Sequence, residues 1–126
     1  MKFVWDERNA DIGNYDLWVE SDDGEKLQDS EISFWDYTCD FQKNSPFRDK
    51  RKKDIAYEWC WCHGWSHSEA YKYEEHLTLI QAKRRAELWL AQKYVDNYNN
   101  CLASIARLKP LAEWAENEIG KERTNE

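Results

Sequence analysis

Residues 55–65 read Ile-Ala-Tyr-Glu-Trp-Cys-Trp-Cys-His-Gly-Trp, and large side chains alternate there with small or charged ones. A period of two marks a β-strand, whose successive side chains point to opposite faces. Ile55, Tyr57, Trp59 and Trp61 then share one face, and Ala56, Glu58, Cys60 and Cys62 the other. The small face leaves room for a second layer. A helical pattern that begins about a dozen residues later is expected to lie over it.

Three earlier stretches alternate in the same way. Residues 2–7 place Phe3 and Trp5 on one side, residues 15–20 set Tyr15, Leu17 and Val19 against Asp16, Trp18 and Glu20, and residues 31–38 set Ile32 and Phe34 against Ser33, Trp35 and Tyr37. Asp11-Ile12-Gly13-Asn14 reads as a turn, and Ser21-Asp22-Asp23-Gly24 as a hairpin turn whose glycine can take a positive φ. Residues 41–54 contain Pro46 and a run of charge, keep neither period and read as a solvated loop. Residues 64–68 break the alternation after the central strand.

From about Tyr73 the apolar positions adopt a helical period. Leu79, Ala82, Ala86, Trp89 and Leu90, then Tyr94, Tyr98, Cys101, Leu102 and Ile105, form a stripe that Lys83, Arg84, Glu87 and Lys93 avoid. An unbroken helix to Leu108 would span on the order of 50 Å at 1.5 Å per residue, longer than a domain of this size. The poor helix formers Asp96-Asn97-Tyr98-Asn99-Asn100 are therefore the expected break, and without a break the helix protrudes and seeks a partner. Pro110 ends or kinks the next segment, and Leu111, Trp114, Ala115 and Ile119 form one more amphipathic set before Gly120. The expected fold is α+β: one domain over residues 1–126, with an antiparallel sheet of three or four strands, a long helix packed on it and one or two C-terminal helices.

Composition sharpens this picture. The chain of 126 residues is 41% hydrophobic, 34% charged and 15% aromatic, and its eight Trp must fill a core or form a binding face. A net charge of -7 argues against general nucleic-acid affinity through a basic surface. Residues 1–7 lack an apolar run with a cleavage pattern, and no segment has the apolar length of a membrane span. A cytoplasmic location with four reduced cysteines is expected.

Three constellations carry candidate chemistry. Cys60, Cys62, His63 and His67 are zinc-ligand types, but Cys-x-Cys on a strand departs from the usual knuckle spacing, and small residues buried under a helix are the simpler reading. No phosphate loop, Ser-centred elbow or His-Glu-x-x-His motif occurs, so neither catalysis nor a cofactor is expected. Trp18, Trp35, Tyr37, Tyr57, Trp59 and Trp61, if exposed along one side of the sheet, would make a stacking platform or a protein hot spot; the competing reading is a second core layer or an oligomer contact. Lys50, Arg51, Lys52 and Lys53, with Arg84 and Arg85, would suit the phosphate of a nucleotide-like ligand.

The order of strand Tyr57-Glu58-Trp59-Cys60-Trp61, the segment from Gly64 to Ala70, Glu74-Glu75 and the helical Ala82-Lys83-Arg84-Arg85-Ala86-Glu87 resembles small accessory proteins of tailed phages over residues 55–90. That resemblance implies a β-meander followed by a packed helix, and an inhibitor of host defence that occludes a protein or sequesters a nucleotide signal. It transfers no functional residue. The expected function is non-enzymatic occlusion of a protein target, with Trp35, Trp59 and Trp61 as anchors and Trp18 and Tyr37 beside them. Acidic charge would steer the chain toward basic surfaces such as those of nucleic-acid-handling host proteins, and self-association is expected alongside. Oligomeric binding of a nucleotide-like ligand and a zinc-stabilised module are the alternatives.

Overall fold

The computed structural model describes residues 1–27, 31–45, 55–63, 66–73 and 76–124, and for residues 62–73 and Thr124 the backbone alone. The chain divides into two compact units, Met1–Leu90 and Ala91–Glu126.

The first unit is built on five antiparallel strands in the order of the sequence: β1 (Lys2–Asp6), β2 (Asn14–Glu20), β3 (Ile32–Asp36), β4 (Tyr57–His63) and β5 (Ser66–Tyr73). The α+β class with an antiparallel sheet and a long following helix is as the patterning predicts. β5 is an additional strand, pairing with β4 across a register shift between Trp61 and Cys62. Its sequence, Ser-His-Ser-Glu-Ala-Tyr-Lys-Tyr, lacks a clean apolar alternation, so pairing along β4 rather than local pattern defines it. A five-residue helix α1 (Asp40–Asn44) overlaps the start of the stretch expected to be loop.

Register assigns the faces, because residues directly opposite one another on paired strands share a side. Trp5 pairs with Leu17, Tyr15 with Phe34, Phe34 with Trp59, and Ile32 with both Leu17 and Trp61. These side chains stand on one face together with Tyr57, while Trp18, Asp16, Ser33, Trp35, Glu58 and Cys60 stand on the other. On the first face Phe34 is the hub. The Trp59 ring stacks on it at 5.8 Å with an interplanar angle of 8°, and Trp5 and Tyr15 meet it edge-on at 5.4 and 5.8 Å.

Helix α2 (Leu79–Thr124) starts with a capping box. Gln81 N–H donates to Thr78 Oγ1 at 3.2 Å, and Thr78 N–H donates to Gln81 Oε1 at 2.9 Å. Just before the cap, the Tyr57 hydroxyl donates to the Leu77 carbonyl at 3.1 Å and ties the helix entry to β4. Within the first unit the helix presents Ala82, Ala86 and Leu90, all fully buried.

The helix lies on the ring face, contrary to the expectation that it covers the small-residue face of β4. Trp5 Nε1 donates to Glu87 at 2.9 Å, and the Lys83 ammonium sits 5.0 Å from the Trp5 ring centre and 4.5 Å from that of Tyr15 while pairing with Glu7. The physical reason is complementarity. Small residues are needed where rings meet a helix, and here the helix supplies them, with Ala82 and Ala86 one turn apart. Each ring removed from water contributes about 1.5–3 kcal/mol, so the face with the rings is the one to cover.

A tight corner locks the other end of the sheet. Gly13 has φ 80°, its carbonyl accepts from Asp36 N–H at 2.7 Å, and Gln42 Nε2 donates to the neighbouring Ile12 carbonyl at 2.7 Å. A Cβ at Gly13 would lie 2.4 Å from the Asp36 carbonyl oxygen.

The second unit belongs to the same helix. No break occurs at residues 96–100, and Pro110 lies inside the helix, so the expected division into separate C-terminal helices does not occur. The unfavourable propensities are small, up to about 0.7 kcal/mol per ordinary residue, and the continuing ladder on either side outweighs them. Gln92 Nε2 also donates to Asp96 Oδ1 at 2.9 Å, bridging into the asparagine-rich stretch.

Two substitutions test the packing. Trp59→Ala is expected to lower stability by about 3–5 kcal/mol, because it empties the stacked position beside Phe34; urea unfolding followed by circular dichroism reads this directly. Gly13→Ala is expected to cost about 2 kcal/mol or more, combining a positive φ with a backbone collision. An unchanged urea midpoint for either variant would contradict the packing described.

Candidate functional site

The anchors expected from the sequence do not form one surface. Trp59 is 1% exposed and Trp61 is also buried, both on the ring face. Tyr37 is buried, and its hydroxyl donates to Glu58 Oε1 at 3.2 Å. Trp18 and Trp35 lie half-buried on the opposite face, with Lys26 Nζ 4.7 Å from the Trp18 ring centre. A row of exposed rings is thereby replaced by a covered core layer and two half-covered indoles behind it. Strand alternation assigned the parity within β4 correctly but could not align one strand with another.

The candidates for a ligand are likewise dispersed. Arg84 is exposed and pairs with Glu87 at 3.0 Å. Arg85 borders a groove of about 260 Å³ shared with Trp59, Leu88 and Trp89. That volume falls below the roughly 300–1,000 Å³ usual for small-molecule sites. Moreover, Trp59 offers too little surface at 1% exposure to stack on a base. Lys50, Arg51, Lys52 and Lys53 lie outside the described residues. Cys60 is a buried thiol, whereas the side chains of Cys62, His63 and His67 lie outside the described residues; among the described residues no three metal-ligating side chains come together.

Among the described residues, the largest uncovered apolar surface lies in the second unit. Of the twelve large apolar residues that remain exposed among those described, eight belong to it: Val95, Tyr98, Leu102, Ile105, Leu108, Leu111, Trp114 and Ile119, at 46–66% exposure. They amount to on the order of 800 Å² of accessible surface, which is about the area each partner contributes to a stable protein pair. Four of them, Tyr98, Ile105, Leu108 and Ile119, lie on one ordered stripe, and Trp114 lies off it. Tyr94, Tyr98, Cys101, Ile105, Leu108, Ala112, Ala115 and Ile119 follow alternating steps of four and three residues, the spacing of a coiled-coil seam. Val95, Leu102 and Leu111 widen one or other edge of this stripe, and Pro110 falls on the side away from it. The 4-3 spacing is legible in the sequence, but it disappears once a break is placed at residues 96–100.

No protein-family model, no curated protein and no solved structure matches this chain. The fold and its uncovered surface define an α+β protein that carries a long helix with an apolar seam. No helix among the described residues is long and apolar enough to cross a membrane.

The second face of the sheet carries a titration that tests its electrostatics. Asp16 sits directly opposite Asp6 in the β1–β2 register, and its carboxyl is raised above the usual value, first by burial and then by the charges of Glu31 and Asp6. The native state therefore holds this proton to a higher pH than the unfolded chain, and stability falls as pH rises from the ordinary carboxyl value through the raised one. Asp16→Asn is expected to raise the urea midpoint at neutral pH, with the gain shrinking as pH drops to about 4 or below. A gain independent of pH would rule out this origin.

Proposed function

We propose that the chain is a non-enzymatic protein-interaction module whose working surface is the apolar seam of residues 94–119 rather than the indoles of the sheet. One observation carries this reading: eight large apolar residues of a single helical unit remain exposed, four of them on a stripe of 4-3 spacing and three more along its edges. Isolated helices owe most of their stability in proteins to packing of an amphipathic face. A seam of this length is therefore a surface built to be covered by another helix.

In this reading the first unit acts as a folded body attached to the binding helix, and occlusion of the partner's own helical surface is the mechanism. The net charge of -7 favours approach to basic partners and disfavours nucleic acid itself. A reducing, cytoplasmic setting accords with the reduced thiols of Cys39, Cys60 and Cys101. Inhibition of a host defence protein, implied by the resemblance of residues 55–90 to phage accessory proteins, is one use of such occlusion, and the proposal does not depend on it. Binding of a nucleotide-like ligand at the Trp59, Arg85, Leu88 and Trp89 groove ranks below, because the groove is small and Trp59 is covered.

The test compares the intact chain with the double variant Ile105→Glu, Leu108→Glu, cross-linked in cells of its source and read by mass spectrometry. The wild-type chain is expected to hold a partner, whether another protein or a second copy, that the variant loses by at least about tenfold, as happens when charge enters a desolvated seam. Both chains should melt alike in the first unit, since neither position lies in it. A wild-type chain that stays alone, with residues 91–124 exchanging amide hydrogen as an unfolded segment does, would overturn the reading.

A further inference from the structure

We infer that the occupant of this seam is a second copy of the same chain, docked antiparallel with residues 106 and 107 at the two-fold axis. This rests on the proposed seam and specifies its partner. The inference comes from the volumes along the stripe. In an antiparallel pair each core layer joins an a position of one helix to a d position of the other, and residues facing one another then have numbers with a constant sum.

About this axis Tyr98 faces Ala115 of the second copy, Cys101 faces Ala112 of it, Ile105 faces Leu108 of it, and Ile119 faces the half-buried Tyr94 of it. The symmetry repeats each pairing, as an isologous two-fold interface requires. Tyrosine thus meets alanine, cysteine meets alanine, and two mid-sized aliphatic side chains meet at the centre. Facing positions of large and small side chains are what fill a helix pair to native density.

The alternatives match less well. A parallel, in-register pair places Ala112 on Ala112 and Ala115 on Ala115 in successive layers, leaving a void, and sets Tyr98 against Tyr98. Slipping the antiparallel pair by one heptad brings Glu122 opposite Tyr98 in one direction and Glu87 opposite Ile119 in the other. The first slip sets a carboxylate against a tyrosine ring, and the second asks Glu87, which Trp5 and Arg84 already hold in the first unit, to enter the seam. At the seam edges in the favoured register, Leu102 lies beside Lys109 of the second copy and Asn97 beside Glu118 of it, so no like charges meet. Without Trp114, which lies off the seam, the exposed apolar residues of the seam and its edges offer on the order of 700 Å² per chain, close to the roughly 800 Å² each partner gives to a standard stable interface.

The register is tested with the full chain by sedimentation velocity and disulfide mapping. Under reducing conditions the wild type is expected to sediment at twice the 15.2 kDa chain mass, and I105E at the single-chain mass. Under mild oxidation A112C is expected to form at least about tenfold more covalent dimer than wild type, because a disulfide forms only where Cα atoms approach within about 7 Å. Tryptic mapping should place that bridge between position 101 of one copy and position 112 of the other. Within one chain these positions are about 16 Å apart along the helix, too far to bridge.

Bridges from Cys101 to Cys101 in the wild type and from position 112 to position 112 in A112C, with none from 101 to 112, would establish a parallel pair and overturn the register. A monomeric wild type whose seam is nevertheless protected by a different protein would overturn the self-pairing while leaving the interaction module intact. A monomer whose residues 91–124 exchange freely would remove both.

Discussion

Contact between the alanine face of residues 79–90 and the ring face of the sheet is the constraint on which the first unit depends. Ala82 and Ala86 are fully buried, which lets the helix backbone approach the layer formed by Trp5, Tyr15, Phe34, Tyr57 and Trp59. Larger residues at those two positions would hold the helix off the rings and leave gaps too small for water, forfeiting dispersion contacts along the layer. Lys83 completes the contact from the side, with its ammonium between two aromatic rings and the Glu7 carboxylate. Attraction between a cation and ring faces is worth about 0.5–2 kcal/mol, and partial burial of Lys83 sets it toward the upper part of that range.

That contact also separates two kinds of aromatic surface. Rings on the helix side of the sheet serve stability and are withdrawn from recognition, while Trp18 and Trp35 remain half-covered behind it. The recognition surface proposed for the chain is carried elsewhere, on a helix whose interior needs no aromatic cluster to form. Division of labour of this kind suits an interaction protein. The folded unit holds the helix start through the Thr78–Gln81 capping box and the Tyr57–Leu77 hydrogen bond, and the apolar residues of the seam stay exposed.

Much of the fold was legible because strand alternation is a local property. β1 to β4 coincide with runs in which apolar and polar positions alternate, both expected turns occur, and Gly24 takes the positive φ that its hairpin turn suggests. β5 was not legible, since its identity comes from the edge of β4 rather than from its own pattern. The candidate site was legible in part. The apolar helical stripe could be read through Ile105, but weak helix formers at 96–100 and Pro110 argued for interruptions that the helical ladder overrides.

The amino-acid sequence by itself therefore determined a set of one-dimensional periods: which residues alternate, where chain reversals fall, and that a long apolar stripe comes after the sheet. These depend on neighbours within a few residues. Tertiary structure alone decided which face of the sheet receives the helix. That choice depends on the register between strands, on the match of Ala82 and Ala86 to the rings, and on the position of Lys83, all of which join residues far apart in the chain. Trp59 changed from a candidate anchor to a buried core residue for this reason, because alternation tells a side from its opposite but not the inside from the outside.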